Sequence, residues 1–234
     1  MIDQDAQKRA AAEAAVALVQ PGMVVGLGTG STATFAIAAL IRRVRQGLDI
    51  VAIPTSERSA AQAREGGIRL VDFSEHRRID LTIDGADEIL PSALHLMKGL
   101  GGALLREKIV AAASDRLVIV ADESKLVDRL GARARVPVEV VAFGWQTTAD
   151  RVANLGGAPA LRRGATGAPF QTDGGNLILD CAFGPIADPE GLERQLAQVV
   201  GLVETGLFIG MADTALVATA GGVERLIREA PPAT

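Results

Sequence analysis

The sequence has few of the residues that build disulfides or imidazole-rich metal sites. Its 234 residues include one cysteine, Cys181, and two histidines, His76 and His95. A single cysteine cannot form a disulfide within the chain, and two histidines disfavour a zinc site or another imidazole-rich metal site. We expect Cys181, which lies in an apolar segment, to pack in the core. We expect the two histidines to be surface or partly packed residues.

Long apolar runs and long runs of like charge are also missing. No apolar run reaches ~18 residues, the length that suggests a membrane-spanning helix, and the segment "MIDQDAQKRA" lacks the order of a secretory signal. The 24 basic and 28 acidic residues leave a net charge of −4 without a charged tail, so no electrostatic footprint for nucleic acid is visible. These features predict a cytoplasmic protein with a small-molecule partner, without nucleic-acid or membrane partners.

Short β-branched runs alternate with alanine-rich segments of helical period through the first half of the chain. Hydrophobic residues make up 48% of the sequence, enough for a substantial core. Strands separated by helices of this size predict an α/β fold, with a Rossmann-like parallel sheet and right-handed crossovers. The predicted strands are "MVVGL", "DIVAI", "IRLV", "IDLTI" and "RLVIVA".

The pattern changes near Leu130. The segments "VPVEVV", "TTADRVANLG", "APALRR", "GNLILDCAF", "PEGLERQLAQVV" and "VETGLFI" predict the order βαββαβ, which is ferredoxin-like. After them, "TALVAT" predicts a strand and "GGVERLI" a helix that rejoin the first sheet. We therefore predict a discontinuous α/β catalytic domain at 1–129 and 207–234, with an inserted ferredoxin-like α+β domain at 130–206.

Polar loops follow three of the predicted strands, "MVVGL", "IDLTI" and "RLVIVA". Ligands of parallel sheets bind beyond the carboxyl ends of the strands, so we expect the three loops to share one crevice. Side chains from these loops and from the helix after "KGLGG" would meet there: Thr29, Ser31, Thr32, Asp84, Asp87, Lys98, Glu107 and Lys125.

The first of these loops, "GLGTGST", has the properties of a phosphate site. Its glycines let backbone N–H groups approach an anion, its hydroxyls can donate, and a helix N-terminus follows. The spacing G-x-G-x-G differs from the dinucleotide fingerprint, and the Gly-Lys-Ser/Thr of a P-loop is absent. The alternative interpretation is an ordinary glycine-rich turn with serine or threonine as the helix cap.

The second loop, "TIDGADEI", places Asp84, Asp87 and Glu88 within five residues. Acids beside a phosphate site need cationic partners or a catalytic function, and "KGLGGALLREK" supplies both Lys98 and Glu107. Two alternatives remain open. One is an Asx-type turn with solvated acids, and the other is magnesium binding by Asp84 and Asp87.

Six motifs, in this order and spacing, resemble the ribose-5-phosphate isomerase family of the A type: "GLGTGST", "DGADEI", "KGLGGALLREKIV", "ADESK", "PVEV" and "TDGGNLILD". The resemblance spans nearly the whole chain. It implies a homo-oligomer, a dimer or tetramer, that interconverts ribose 5-phosphate and ribulose 5-phosphate in the non-oxidative pentose phosphate pathway without a metal or other cofactor.

The resemblance also implies site residues, with Glu107 as the base. Ligand contacts are implied at Thr29, Gly30, Ser31, Thr32, Asp84, Gly85, Ala86, Asp87, Lys98, Gly99, Leu100, Gly101 and Lys125. The chain departs from the family pattern at Leu100, where glycine is common, and at Leu105, where threonine is common.

An aldose–ketose isomerisation needs several proton transfers, which accounts for several acids. Our hypothesis is that Glu107 transfers the carbon-bound proton through a cis-enediolate, and that Asp84 and Asp87 serve the hydroxyl protons and ring opening. Lys98 would stabilise the oxyanion. The phosphate would anchor the sugar, chiefly on Thr29, Ser31 and Thr32, with Lys125 and then Lys8 as further candidates.

Three functions of other kinds stay open from the sequence. The first is a catalytically silent sugar-phosphate sensor, although no helix-turn-helix fits ahead of "MVVGL". The second is a CoA transferase with a glutamate nucleophile. The third is an isomerase for a different phosphorylated sugar.

Overall fold

The computed structural model describes residues 4–228, which form α-helices, β-strands and one short 3₁₀ turn at Glu123–Lys125. The helices are α1 (Gln4–Val16), α2 (Ser31–Arg45), α3 (Glu57–Glu65), α4 (Leu104–Ala112), α5 (Trp145–Asn154) and α6 (Pro189–Leu196). The strands are β1 (Val24–Leu27), β2 (Val51–Pro54), β3 (Arg69–Leu70), β4 (Leu81–Asp84), β5 (Glu88–Leu90), β6 (His95–Met97), β7 (Leu117–Asp122), β8 (Val136–Val140), β9 (Ala158–Leu161), β10 (Leu177–Ala182), β11 (Leu202–Thr205), β12 (Leu207–Phe208), β13 (Thr214–Thr219) and β14 (Gly222–Ile227). None of the helices in this part of the chain is both long enough and apolar enough to span a membrane.

The largest sheet has seven strands in the order β3-β2-β1-β4-β7-β13-β14. Its strands pair in parallel from β3 to β13, and only β14 runs antiparallel. The chain winds outward from β1 in one direction and then from β4 in the other, so the topological switch point lies between β1 and β4. The predicted α/β class with a parallel, Rossmann-like sheet is confirmed.

Apolar packing on both faces explains why the central strands are continuous hydrophobic runs. On one face, α1 and α2 contribute Ala11, Ala15 and Leu40 to a buried cluster that includes Val25 of β1. On the other face, β7 and β13 pack against a small three-stranded sheet of order β12-β6-β5. This small sheet is not among the elements predicted from the sequence.

A four-stranded antiparallel sheet, in the order β11-β8-β10-β9, lies between residues 136 and 205. Its elements follow the chain as strand, helix, strand, strand, helix, strand, the predicted ferredoxin-like order. The boundaries at 129/130 and 206/207 stay a prediction. The outermost parts of the predicted segments 1–129 and 207–234 lie outside the described residues.

One predicted helix is wrong. The segment "GGVERLI" forms β14, which pairs with β13 in antiparallel register from Thr214↔Ile227 to Thr219↔Gly222. A tight turn after β13 returns the chain along the same edge, and Gly222 adopts φ 126°, which favours glycine. The turn and the open edge of β13 outweigh the modest helix propensity of these residues.

Candidate active site

The loops that follow β1, β4 and β7 of the large sheet, and the loop that follows β6, meet at the carboxyl edge of the large sheet and enclose one pocket. The pocket is lined by Thr29, Gly30, Ser31, Thr32, Gly85, Ala86, Asp87, Lys98, Gly99, Gly101, Glu107 and Lys125. Two further residues of the predicted set, Asp84 and Leu100, do not line this pocket. Asp84 lies behind the wall and contacts Lys98, whereas Leu100 is 51% exposed and lines a neighbouring cavity with Asp87 and Lys125. The structure thus brings the predicted residues together at the switch point.

A buried ammonium group between two carboxyl groups forms the floor of the pocket. Lys98 Nζ lies 2.9 Å from Asp84 Oδ2 and 3.3 Å from Glu107 Oε1, and it donates a 2.6 Å hydrogen bond to the Gly85 carbonyl. The exposed fractions of Asp84, Lys98 and Glu107 are 1%, 3% and 4%. Such a cluster is expensive to bury unless each charge has a partner, and function is a common reason to keep it.

Burial and mutual charge shift the proton affinities of all three groups. Burial raises the pKa of Glu107 to about 8, against the opposing effect of the Lys98 ammonium, and the nearby Asp84 carboxyl raises it further. Burial also raises the pKa of Asp84, although Lys98 and two backbone N–H groups oppose the shift. Burial alone would lower the pKa of Lys98, but the carboxylates of Asp84 and Glu107 outweigh it and raise that pKa, so Lys98 stays an ammonium.

The two oxygens of Asp84 have different partners. Oδ1 accepts hydrogen bonds from the backbone N–H of Thr29 (3.0 Å) and of Gly85 (2.7 Å), which leaves Oδ2 to Lys98. Gly28 makes this approach possible, because a Cβ there would lie 2.2 Å from Asp84 Oδ1. The glycine in the first loop is therefore needed to seat the acid of the second.

Glu107 has one oxygen without a protein partner. It lies near the start of α4, and its Oε2 is buried without a hydrogen bond from any described residue. Asp87, by contrast, is half-buried and accepts a 2.9 Å hydrogen bond from the Leu100 N–H through Oδ2. Glu107 lines the pocket, and in its ionised form a carboxylate with an unbonded buried oxygen is chemically suited to accept a proton from a bound substrate.

The N-terminus of α2 opens into the same pocket. Gly30 is its N-cap with φ 122°, and no side chain among residues 4–228 caps the helix. Ser31 is exposed and Thr32 is buried at the pocket wall. Backbone N–H groups of an uncapped helix N-terminus, together with these hydroxyls, are a suitable anion site.

The Thr29 hydroxyl is directed away from the anion site that the sequence predicted for it. Its Oγ1 lies in a buried hydroxyl cluster, 2.7 Å from Thr55 Oγ1, 2.8 Å from Ser56 Oγ and 3.3 Å from Ser59 Oγ. This supporting cluster was not predicted, although the hydroxyl-rich segment "PTSERS" at the end of β2 is a sequence signal for it. Thr29 lines the pocket, but its hydroxyl already has protein partners.

The two lysines proposed for the anion are placed differently. Lys125 ends the 3₁₀ turn after β7 and lines the pocket. Lys8, in α1, lies 3.7 Å from Asp5 Oδ1 in an ion pair and is not among the lining residues. The structure therefore favours Lys125 over Lys8 as a cationic neighbour of the site.

Glu88, the third acid of "DGADEI", has a structural role. Its carboxylate is buried and accepts backbone hydrogen bonds of 2.6, 2.7 and 2.7 Å from the N–H groups of Gly131, Arg133 and Ala134. The acid thereby holds the connection that leads into β8. Of the three neighbouring acids, Asp87 lines the pocket, Asp84 contacts its Lys98 and Glu88 braces a loop.

The residues expected to be structural lie outside the pocket. Cys181 is buried in β10, where burial raises the pKa of its thiol to about 12. His95 Nε2 lies 3.3 Å from Glu190 Oε1, and its Nδ1 accepts from the Gly210 N–H at 3.3 Å. His76 is half-buried.

The fold is a doubly wound α/β fold, and an uncapped helix N-terminus lies beside buried acids and an ammonium group. These features define an enzyme that uses general acid–base catalysis on a small anionic substrate. The family model of ribose 5-phosphate isomerase A (phosphoriboisomerase A) matches residues 51–222. The chain belongs to this family, as the six sequence motifs predicted.

Individual relatives agree over almost the whole length. The chain is 56% identical over 231 residues to ribose-5-phosphate isomerase A of Gloeobacter violaceus, covering 99% of this chain and 100% of the relative. The solved isomerase A from Methanocaldococcus jannaschii is 39% identical with a TM-score of 0.92, covering 96% of this chain and all of that one. A D-ribose-5-phosphate isomerase in complex with phospho-erythronic acid is 36% identical with a TM-score of 0.94, covering 97% of this chain and all of that one.

Proposed function

We propose that this chain interconverts D-ribose 5-phosphate and D-ribulose 5-phosphate through an enediolate, with Glu107 as the general base. The observation that supports this most directly is the Lys98 ammonium group, buried between Asp84 and Glu107 beside the open N-terminus of α2. One end of such a site suits a phosphate, and the other suits proton transfer at carbon. The family assignment supports the same substrate pair.

Each proton transfer is assigned to one group. Glu107 takes the proton from C2 of the open-chain aldose and returns it to C1, so the carboxyl group is unchanged after a full cycle. Lys98 stabilises the negative charge that develops on the substrate oxygen. Asp87, which lines the pocket, transfers the hydroxyl protons between O1 and O2 and assists ring opening, while Asp84 takes part through Lys98, which it contacts at 2.9 Å. The reaction needs no cofactor.

The phosphate takes no part in the chemistry and holds the sugar. Ser31, Thr32 and the first N–H groups of α2 bind it, and Lys125 adds positive charge. Binding energy gained at this remote group orients C1 and C2 against Glu107. Phospho-erythronic acid, bound in the related isomerase, combines a phosphate with a carboxylate, whose two oxygens resemble the neighbouring O1 and O2 of an enediolate.

The wider setting is part of the same proposal. We place the enzyme in the cytoplasm, in the non-oxidative pentose phosphate pathway, as a homo-oligomer. The family and the presence of a single, buried cysteine support this setting.

The test is ketose formation from ribose 5-phosphate by purified, EDTA-treated protein. We expect rapid conversion, and we expect Glu107→Gln to lower kcat by ~10²–10⁴-fold with little change in KM. Glu139→Gln is the matched control, because Glu139 is also buried with one unbonded oxygen but lies on β8 outside the pocket. It should keep the wild-type kcat.

Two results would contradict the proposal. A wild-type protein that forms no ketose, while converting another phosphorylated sugar or forming a glutamyl thioester with acyl-CoA, has a different function. A Glu107→Gln variant within tenfold of wild type has a different base.

A further inference from the structure

The loop that connects Lys98 to helix α4 is unusually rich in glycine. It contains Gly99, Gly101 and Gly102, and the first and last of these adopt φ 104° and φ 82°. Glycine loses more conformational freedom on folding than any other residue, so such a loop needs external contacts to keep one conformation. Both of its ends matter, because Lys98 precedes it and Glu107 follows in the first turns of α4.

Those contacts come from the four-stranded sheet. Arg162, just after β9, donates from Nη1 to the carbonyl of Gly99 at 2.9 Å and to the carbonyl of Leu100 at 3.2 Å. Its side chain is only 12% exposed. A guanidinium group that binds two consecutive carbonyls fixes the peptide plane between them.

Asp180, on β10, holds the guanidinium group in that orientation. Its two oxygens accept from Arg162 Nε, at 2.9 Å, and from Nη2. Arginine and carboxylate groups match in this two-bond geometry, which a lysine cannot reproduce. The pair leaves Nη1 free to bind the loop.

Phe170 supports the other end of the same loop. Its ring centroid is 5.9 Å from Arg162 Cζ, and its N–H donates to the Arg162 carbonyl at 2.9 Å. A Cβ on Gly102 would lie 2.4 Å from Phe170 Cζ, so the ring occupies the space beside that glycine. Arg162 therefore binds the first half of the loop at residues 99 and 100, and Phe170 packs against its last residue, Gly102.

The held loop also contacts an acid of the pocket. The Leu100 N–H donates to Asp87 Oδ2 at 2.9 Å. The carbonyl of the same residue, Leu100, accepts from Arg162. We propose that Arg162, oriented by Asp180, is a positioning residue of the isomerase reaction: it fixes residues 98–102 so that Leu100 orients Asp87 and Lys98 stays between its two acids. This inference rests on the proposed function.

The chain offers a matched control for the test. Arg228 also pairs with an aspartate, Asp213, at 3.2 Å, and it also donates to a glycine carbonyl, that of Gly210. Asp213 accepts a hydrogen bond from the N–H of Leu117 at the start of β7. This end of the large sheet is opposite to the carboxyl edge where the pocket lies. Arg228→Lys removes contacts of the same kind as Arg162→Lys, but fewer of them: one bond to an aspartate and one to a glycine carbonyl, against two bonds to Asp180 and two to loop carbonyls. Only the contacts of Arg162 are next to the pocket.

We expect Arg162→Lys to lower kcat by ~10–100-fold, because displacements of about 1 Å at a site can cost that much. Arg228→Lys should stay within twofold of wild type. Inhibition by inorganic phosphate, which probes the α2 end of the pocket, should be unchanged in both. The Tm of both variants is measured as well, and kcat is compared at a temperature well below either Tm, which separates positioning from general destabilisation.

Hydrogen–deuterium exchange of the loop provides a readout independent of activity. The amides of residues 98–102 should exchange at least ~10-fold faster in Arg162→Lys than in Arg228→Lys or wild type. If the wild-type protein forms no ketose, the proposed function fails while the exchange result still decides whether Arg162 orders the loop.

Asp180→Asn gives a second, milder variant that keeps Arg162 in place, in case Arg162→Lys folds poorly. It should lose kcat in the same direction and gain loop exchange. Wild-type kcat and wild-type exchange in either folded variant would overturn the proposal.

Discussion

At the scale of single residues, the environment of Glu107 is the most informative feature of the site. One of its oxygens contacts the Lys98 ammonium at 3.3 Å and the other is buried without a bond from any described residue. Burial raises its pKa to about 8, which makes the carboxylate a stronger base than an exposed glutamate. The same shift has a consequence for stability.

We predict that Glu107→Gln becomes more stable relative to wild type as the pH rises from about 5 to 8. The ordinary pKa is 4.5 and the folded-state pKa is about 8, so between these values the folded state holds a proton that the unfolded state has released. Its stabilising contribution is complete below 4.5 and is lost as the pH rises through the folded-state pKa. Glutamine lacks this titration.

The measurement is the Tm of both proteins at closely spaced pH values from 5 to 9. The difference, variant minus wild type, should increase across the interval and level off above pH 8 to 9. A difference that is constant with pH, or that decreases, would mean that the folded protein does not hold Glu107 protonated near neutral pH.

At the scale of elements, the N-terminus of α2 is where the phosphate is proposed to bind. The double substitution Ser31→Ala with Thr32→Ala removes two hydroxyl donors, each hydrogen bond to a charged group being worth roughly 1.5–3 kcal/mol. We expect KM for ribose 5-phosphate to rise by at least ~10-fold, while the slow turnover of unphosphorylated ribose changes little.

Thr34→Ala is the control for this element. Thr34 lies in the first turn of the same helix, but it is exposed and its hydroxyl bonds to the Gly30 carbonyl at 3.0 Å. It should leave KM for ribose 5-phosphate near the wild-type value. Equal losses with ribose and ribose 5-phosphate in the double variant would place the phosphate elsewhere.

Elements with a strong local signal could be predicted from the sequence, and elements without one could not. The runs that became β1, β4 and β7 are apolar, and a glycine-rich or acidic motif follows each of the first two, so both the strands and the crevice were predictable. The short strands β5, β6 and β12 have two or three residues each, too few to show a period. The segment of β14 suits a helix as well as a strand, and its neighbour β13 decides the outcome.

The site shows the same division between local and distant information. Asp84, Lys98 and Glu107 could be assigned because their motifs surround a predicted crevice. The role of Glu88 depends on N–H groups 43 to 46 residues away, and that of Arg162 on carbonyls 62 and 63 residues away. Spacing along the chain contains no signal for such contacts, which only the packing of the sheets creates.

At the scale of the whole molecule, two sheets position the residues of the candidate site. The large sheet leads into the proposed anion site and supplies Asp84, while the four-stranded sheet holds the loop that joins Lys98 to the helix of Glu107. The Lys98 ammonium lies 2.9 and 3.3 Å from the acids of Asp84 and Glu107, a position from which it repels a divalent cation. This arrangement favours proton transfer by a carboxylate over a hydride shift between metal-bound oxygens.

The last prediction concerns how hydrogen moves from C2 to C1. A carboxylic acid formed at Glu107 can exchange its proton with water before returning it, whereas a hydride shift moves hydrogen directly between the carbons. We expect substrate deuterated at C2 to lose at least part of its label to solvent during turnover, measured by mass spectrometry of the ketose. Activity should survive EDTA, and Glu107→Gln should lose turnover and label exchange together, with Glu139→Gln unchanged in both.

Retention of label alone would still agree with a base shielded from water, since such a base returns the same deuteron. Full retention combined with EDTA-sensitive activity that a divalent ion restores would instead make Asp84 and Asp87 metal ligands, and the proton-transfer mechanism would be wrong.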